Sequence, residues 1–317
     1  MPDLKYMLEM KSVKEVYPLT GQSAGVARLR KLLEAPEFII MPCCYDGISA
    51  KLIQQCGYSL TFMSGFAVSA ARLGLPDTGL ISYAEMLDQG RNICSAVDIP
   101  VIGDGDTGYG NTVNVKRTVH GYIQAGFAGI MIEDQRSPKR CGHTTGKEVV
   151  EREEALLRIR AVIEARDEAR DREEDIVIVS RTDARDTHGL SEAIERAKLF
   201  VDMGADIIFI ESPRSEEEMY KICSEVGGCQ MANILEYGNT PVLPPELLKR
   251  IGYKIAAYPL TLLSSALYAM REALYDIREG KMPERILDFR ELQAVVGFPE
   301  YDNTLRRLEG KKPEKDH

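Results

Sequence analysis

Four stretches of the chain, QQCGYSLTF, IQAGFAGIMI, VDMGADIIFI and KRIGYKIAAY, share one punctuation: a helical segment, a glycine, then an apolar β-rich run two or three residues later. Glycine takes the left-handed backbone of a helix C′ position without steric cost. Each stretch therefore predicts a helix that stops at Gly57, Gly126, Gly204 or Gly252 and passes directly into a strand. Similar apolar runs recur eight times, beginning at Phe38, Ser59, Pro100, Gly129, Asp175, Asp206, Cys229 and Lys254. Segments of helical periodicity such as SYAEMLDQGRNICSAV, TVNVKRTVHGYIQAG and SEAIERAKLFVDMG lie between most of them. Such alternation requires parallel strands joined by crossover helices. Strands that are apolar on both faces fit a closed (β/α)8 TIM-like barrel better than the alternative, an open doubly wound sheet.

The 317 residues, 44% of them hydrophobic, suffice for one such domain. The expected division is an N-terminal arm over 1–25, the barrel over 26–280, and a helical extension with a disordered tail, LEGKKPEKDH, over 281–317. EARDEARDREED, residues 164–175, reads as the solvated end of a long helix. No apolar run approaches the ~20 residues that span a bilayer. The N-terminal stretch lacks the pattern of a signal peptide, so the reading is cytoplasmic, without a membrane partner. Seven cysteines without CxxC spacing suggest neither a zinc site nor a disulfide framework. A formal charge of −9 disfavours nucleic acid, which needs a basic face.

In such a barrel the chemistry sits at the C-terminal ends of the strands. Almost every run ends there in polar residues: Tyr45 and Asp46, Ser64 and Gly65, Asp104 and Asp106, Glu133 and Asp134, Arg181 and Asp183, Glu211, Asn233, and Thr261 beside Pro259. Asp104 and Asp106 are two apart, which on a strand places both side chains on one face, where two carboxylates repel without a cation. Mg²⁺ or Mn²⁺ retaining waters would resolve this, with Glu133 and Asp77 completing the shell; helix capping by both aspartates is the structural alternative. Arg181 is either a salt-bridge partner of Asp183 or Glu133, or a fork for a substrate carboxylate. The amides around Ser64 and Gly65 either hold a second anionic group or form a plain turn. Cys141 lies in RSPKRCGHTTGKE, after Lys139 and Arg140 and before Gly142 and His143. Neighbouring cations lower a thiol pKa and favour thiolate, and the glycines allow a loop that closes over substrate.

KRCGH, residues 139–143, resembles the signature of the carbon–carbon bond lyases of the isocitrate lyase and phosphoenolpyruvate mutase superfamily. FMSGF, LGLPDTG, DGDTGYGN, MIEDQ, SRTDA and MANILEYG match its other landmarks in order, over about residues 25 to 295. The nearest groups are the 2-methylisocitrate lyases, 2,3-dimethylmalate lyases and petal death proteins. The resemblance implies a barrel whose last helix is exchanged between subunits of a homotetramer, a dimer of dimers. It implies Mg²⁺ held chiefly by Asp104, with Asp106, Asp77 and Glu133 acting through water. Arg181, Ser64 and Gly65 would grip a 2-oxo acid, while Asn233, Glu211 and the Gly142–His143 backbone receive the other carboxylate. Phe66, Lys139, Arg140 and Pro259 complete the substrate-binding set, and Cys141 is the acid.

The activity implied is cleavage of a 2-hydroxy di- or tricarboxylate, of 2-alkylmalate, dimethylmalate or methylisocitrate type, to a 2-oxo acid plus a carboxylic acid. Phe62 replaces the tyrosine that methylisocitrate lyases carry as a base, leaving Tyr45 or a metal-bound hydroxide to replace it. Ser264 stands where those lyases place an arginine, which shifts the expectation from a tricarboxylate to an alkylated dicarboxylate. Pro259 stands where oxaloacetate hydrolases tend to have serine. That hydrolysis, to oxalate and acetate, is the first alternative. A phosphonomutase, whose relatives lack the cysteine, is the second, and a non-catalytic carboxylate-binding barrel the third.

Overall fold

The computed structural model describes residues 22–310; the expectations for 1–21 and 311–317 lie outside the described residues. Eight parallel strands close into a barrel in sequential order: β1 (Ile39–Cys44), β2 (Thr61–Met63), β3 (Val101–Asp104), β4 (Gly129–Glu133), β5 (Val177–Thr182), β6 (Ile207–Ile210), β7 (Cys229–Asn233) and β8 (Ile255–Tyr258). Closure is made by β1 against β8, with Ile39 opposite Ile255 and Pro42 opposite Tyr258. All eight apolar runs are strands, so the (β/α)8 expectation holds and the open sheet does not.

The helices are α1 (Gln22–Glu34), α2 (Gly47–Gln55), α3 (Gly65–Leu73), α4 (Tyr83–Ala96), α5 (Thr112–Ala125), α6 (Arg152–Arg170), α7 (Ala184–Thr187) and α8 (Leu190–Met203). They continue with α9 (Glu216–Val226), α10 (Pro245–Ile251), α11 (Thr261–Arg278), α12 (Phe289–Val296) and α13 (Phe298–Leu308). The four punctuating glycines behave as expected, with φ of 84° at Gly57, 95° at Gly126, 97° at Gly204 and 119° at Gly252. A side chain at any of them would meet backbone strain.

Strand alternation sorts the core into two layers. Met41, Phe62, Ile102, Met131, Val177, Val179, Phe209, Met231 and Ala257 point inward and fill the barrel. Val26 and Leu29 of α1 join that same cluster, and Leu29 is fully buried, so α1 closes the N-terminal end of the barrel. Residues of opposite parity, such as Ile130, Ile132, Ile178 and Ile208, pack outward against the helices. Each fully buried aliphatic side chain contributes roughly 1.5–3 kcal/mol.

Two sequence expectations need correction. α6 ends at Arg170, and its last turns are not simply solvated: Ala165 and Ala169 are fully buried and Arg166 donates to the Gly204 carbonyl at 2.9 Å. Residues 22–25, expected as arm, are the first turn of α1. Beyond the barrel, α11 buries only Leu263 and exposes Leu267, Met270, Leu274, Tyr275 and Ile277. No helix among the described residues is long and apolar enough to cross a membrane.

Candidate active site

Inward parity, carried to the C-terminal end of each strand or one residue beyond it, generates the site. After Leu60 and Phe62 comes Ser64; after Met131, Glu133; after Val177 and Val179, Arg181; after Phe209, Glu211; after Met231, Asn233; after Ala257, Pro259. Ile102 is followed in the same way by Asp104. These side chains gather at the C-terminal mouth around one cavity. Ser64, Phe66, Asp77, Asp104, Lys139, Arg140, Cys141, Gly142, His143, Arg181, Glu211, Asn233 and Pro259 all line it.

Gly65, Asp106 and Glu133 lie just behind the lining. The Gly65 amide donates to Asp104 Oδ2 at 3.1 Å, and a Cβ at Gly65 would come within 2.5 Å of that oxygen, so only glycine permits the contact. Asp104 Oδ1 accepts from the Asp106 amide at 3.0 Å. β3 ends at Asp104, and Asp106 sits at φ 47°, so its orientation comes from a turn rather than from the strand alternation expected. Ser212 and Tyr237, on the loops after β6 and β7, also have positive φ, of 58° and 62°. Non-glycine residues held there cost roughly 1–3 kcal/mol each and cluster at functional sites.

The acidic corner is shared by Asp77, Asp104, Asp106 and Glu133, all buried. Lys139 reaches into it, its ammonium 2.7 Å from Asp77 and 2.8 Å from Asp106. Burial, reinforced by Asp106, raises the Asp104 carboxyl to about 6, and burial raises Glu133 well above the carboxylate range despite Arg181 and Lys139. Neither Glu133 oxygen accepts a hydrogen bond. Among the described residues no three such groups already stand at chelating distance. The donor set nevertheless fits a hard cation: it is all oxygen, it holds undonated buried carboxylate oxygens, and Mg²⁺ binds through one or two carboxylates plus waters.

Arg181 occupies the centre. Its Nε donates to Asp183 Oδ2 at 2.9 Å and its Nη2 to Asp183 Oδ1 at 3.1 Å. Nη1 lies 3.3 Å from Glu133 and Nη2 3.3 Å from Glu211. The salt-bridge alternative is thus realised with both Asp183 and Glu133, and Arg181 also lines the cavity. Although burial raises carboxyl pKa values, Arg181 and then His143 hold Glu211 well below the usual range, so it is a carboxylate. His143 Nε2 lies 3.2 Å from Glu211, and the Asn233 amide donates to it at 3.3 Å.

Cys141 departs from the thiolate expected. Lys139 is spent on Asp77 and Asp106, and Arg140 is exposed, bonded through its backbone to Gln135. Burial therefore dominates and pushes the thiol above its ordinary value of 9.0, against the lowering effect of the His143 amide and Arg181. At neutral pH Cys141 is a neutral thiol. Tyr45 is not among the lining residues; it packs against the apolar layer outside the barrel, and burial raises its phenol too.

The loop that carries Cys141 rises from a bridge between Gln135 and Val149. It is seated closely: a Cβ at Gly142 would lie 2.4 Å from Glu211 Oε2 and 2.6 Å from Arg181 Nη2. Cys43, Leu235 and Leu260, which also line the cavity, were not singled out from sequence; apolar residues carry no chemical signature that separates lining from core.

Residues 29–278 match the phosphoenolpyruvate phosphomutase family. A 2,3-dimethylmalate lyase of Eubacterium barkeri is 42% identical over 279 residues, covering 88% of this chain and 93% of its own. The chain belongs to the phosphoenolpyruvate mutase/isocitrate lyase superfamily. It is an enzyme of that superfamily's carbon–carbon lyase kind. Among solved superfamily structures, an oxaloacetate acetylhydrolase in complex with 3,3-difluorooxalacetate superposes with a TM-score of 0.87 at 34% identity, covering 93% of this chain and 100% of that one. A phosphonopyruvate hydrolase with oxalate and Mg²⁺ superposes with a TM-score of 0.77 at 26% identity, over 93% and 100% of the two chains.

Proposed function

We propose that the enzyme cleaves an alkylated 2-hydroxy dicarboxylate, of 2-alkylmalate or dimethylmalate type, to a 2-oxo acid and a carboxylic acid. The observation that carries this reading is the mixed lining of one cavity, where Arg181, Asp77, Asp104 and Cys141 share the space with an apolar wall of Phe62, Phe66, Leu235, Pro259 and Leu260. An alkyl substituent gains by burial against such a wall. The similarity to a 2,3-dimethylmalate lyase supports the same substrate class.

Mg²⁺, held chiefly by Asp104 with Asp106, Asp77 and Glu133 acting through water, would supply positive charge to the oxygens of the 2-oxo acid. Arg181, with the Ser64 hydroxyl, orients that acid and stabilises negative charge growing on it, and Gly65 sets the Asp104 carboxylate beside it. Asn233 and the Gly142–His143 backbone receive the second carboxylate, and the Glu211 carboxylate holds Asn233 and the His143 ring in place. In cleavage the hydroxyl proton passes to solvent in the cavity, the C–C bonding pair passes to the carbon beside the departing carboxylate, and the Cys141 thiol gives its proton to that carbon, the thiolate left behind taking a proton back from solvent before the next turnover. The apolar face of α11 supports assembly as a homotetramer with this helix exchanged between subunits.

Oxaloacetate hydrolysis is the second reading, favoured by the closeness of the oxaloacetate acetylhydrolase fold and opposed by Pro259. Product analysis by NMR, with Mg²⁺ and a panel of (2R,3S)-dimethylmalate, 2-ethylmalate, 2-methylisocitrate and oxaloacetate, separates them. A 2-oxo acid plus a saturated acid from an alkylated malate is the expected result. Oxalate and acetate from oxaloacetate alone would replace it with the hydrolase.

A further inference from the structure

Lys147 carries no motif, yet its side chain is only 2% exposed. An ammonium has three N–H donors, and here each finds a partner: the Gly142 carbonyl, Asp183 Oδ1 at 3.1 Å and Asp186 Oδ2 at 2.8 Å. Asp183, fully buried, accepts the two bonds from Arg181 on the same carboxylate. Gly142 follows Cys141, and its carbonyl takes a second bond from Ser212 Oγ at 3.0 Å. One cation thus joins the loop that bears the thiol to the carboxylate that holds the guanidinium.

We propose that Lys147 is a positioning residue that ties the Cys141 loop to Arg181, seating the thiol and sharing the charge of Asp183 so that Arg181 keeps its own for substrate. For its effect on catalysis this rests on the reading of Cys141 as proton donor. The tie itself does not. Without Lys147 the Gly142 carbonyl keeps only Ser212, and Asp183 draws on Arg181 alone. The loop then opens more often, and both reacting groups lose their alignment.

The test uses the full chain with Lys147→Met, Lys147→Gln and Lys147→Arg, and two readouts. One is kcat and KM for (2R,3S)-dimethylmalate with Mg²⁺. The other is the rate of iodoacetamide alkylation at Cys141 without substrate, read on its peptide by mass spectrometry, which follows loop opening. Lys147→Met is expected to speed alkylation about 10-fold and lower kcat about 100-fold, with KM changed much less, as a misplacement of about 1 Å would. Lys147→Arg should recover part of both. If Lys147→Met does not fold, Lys147→Gln, which keeps an N–H for Gly142, gives an intermediate alkylation rate. Wild-type alkylation rates in a folded Lys147→Met or Lys147→Gln protein would overturn the tie. Faster alkylation in a chain whose wild type turns over neither dimethylmalate nor 2-ethylmalate would keep the tie and remove the alkylmalate reading instead.

Discussion

Because burial keeps the Cys141 thiol protonated, at neutral pH the group is ready to give a proton rather than to take one. With the thiol as the proposed acid, cleavage needs the protonated form, so its rate should persist above the ordinary thiol value of 9.0 and fall only as pH rises through the raised one. A pH profile of kcat whose alkaline limb lies below 8 would contradict this assignment. Cys141→Ala should lower kcat by about 10²- to 10⁴-fold, the usual worth of a positioned acid. Oxalate binding measured by calorimetry with Mg²⁺ should change little, since Arg181, Ser64 and Gly65 remain. Full activity in that variant would remove the thiol from the chemistry.

The β5 to α8 region shows how an outer helix supports the mouth. Arg196 of α8 is 2% exposed and donates to Asp134 Oδ2 at 3.0 Å and to the Val150 carbonyl at 2.9 Å. Asp134 in turn accepts from the Asp183 amide at 2.9 Å. Arg196→Met leaves Asp134 buried without its cation, and such breaks cost about 3–5 kcal/mol. Urea unfolding should show that loss, and a variant as stable as wild type would refute it. The strands, the helix stops and the polar residues at the strand ends were all legible, because each follows from local periodicity or from the backbone freedom of glycine. The supporting charges were not. Lys147 and Arg196 look in the sequence like any lysine after a glycine or any arginine on a helix. The thiol reversed its expected shift because adjacency in sequence placed Lys139 beside Cys141, whereas in space Lys139 serves Asp77 and Asp106.

The chain as a whole leaves one surface unfinished. Leu267, Met270, Leu274, Tyr275 and Ile277 of α11 stay exposed, and a helix of this length with an uncovered apolar face gains stability chiefly by packing it. Sedimentation of the full chain should give a species about four times the monomer mass, and Leu274→Asp with Ile277→Asp should reduce it; a wild-type monomer would refute the assembly. α1 meanwhile stops the far end of the barrel with Val26 and Leu29, and the interior is filled with side chains. The reaction vessel therefore has one neck, and the Cys141 loop is its stopper. On the proposed reaction the fragment held by Arg181 and the acidic corner is expected to wait behind the other in a vessel of that shape. The expected order is then carboxylic acid first and 2-oxo acid last, so the 2-oxo acid should inhibit competitively against substrate and the carboxylic acid should not.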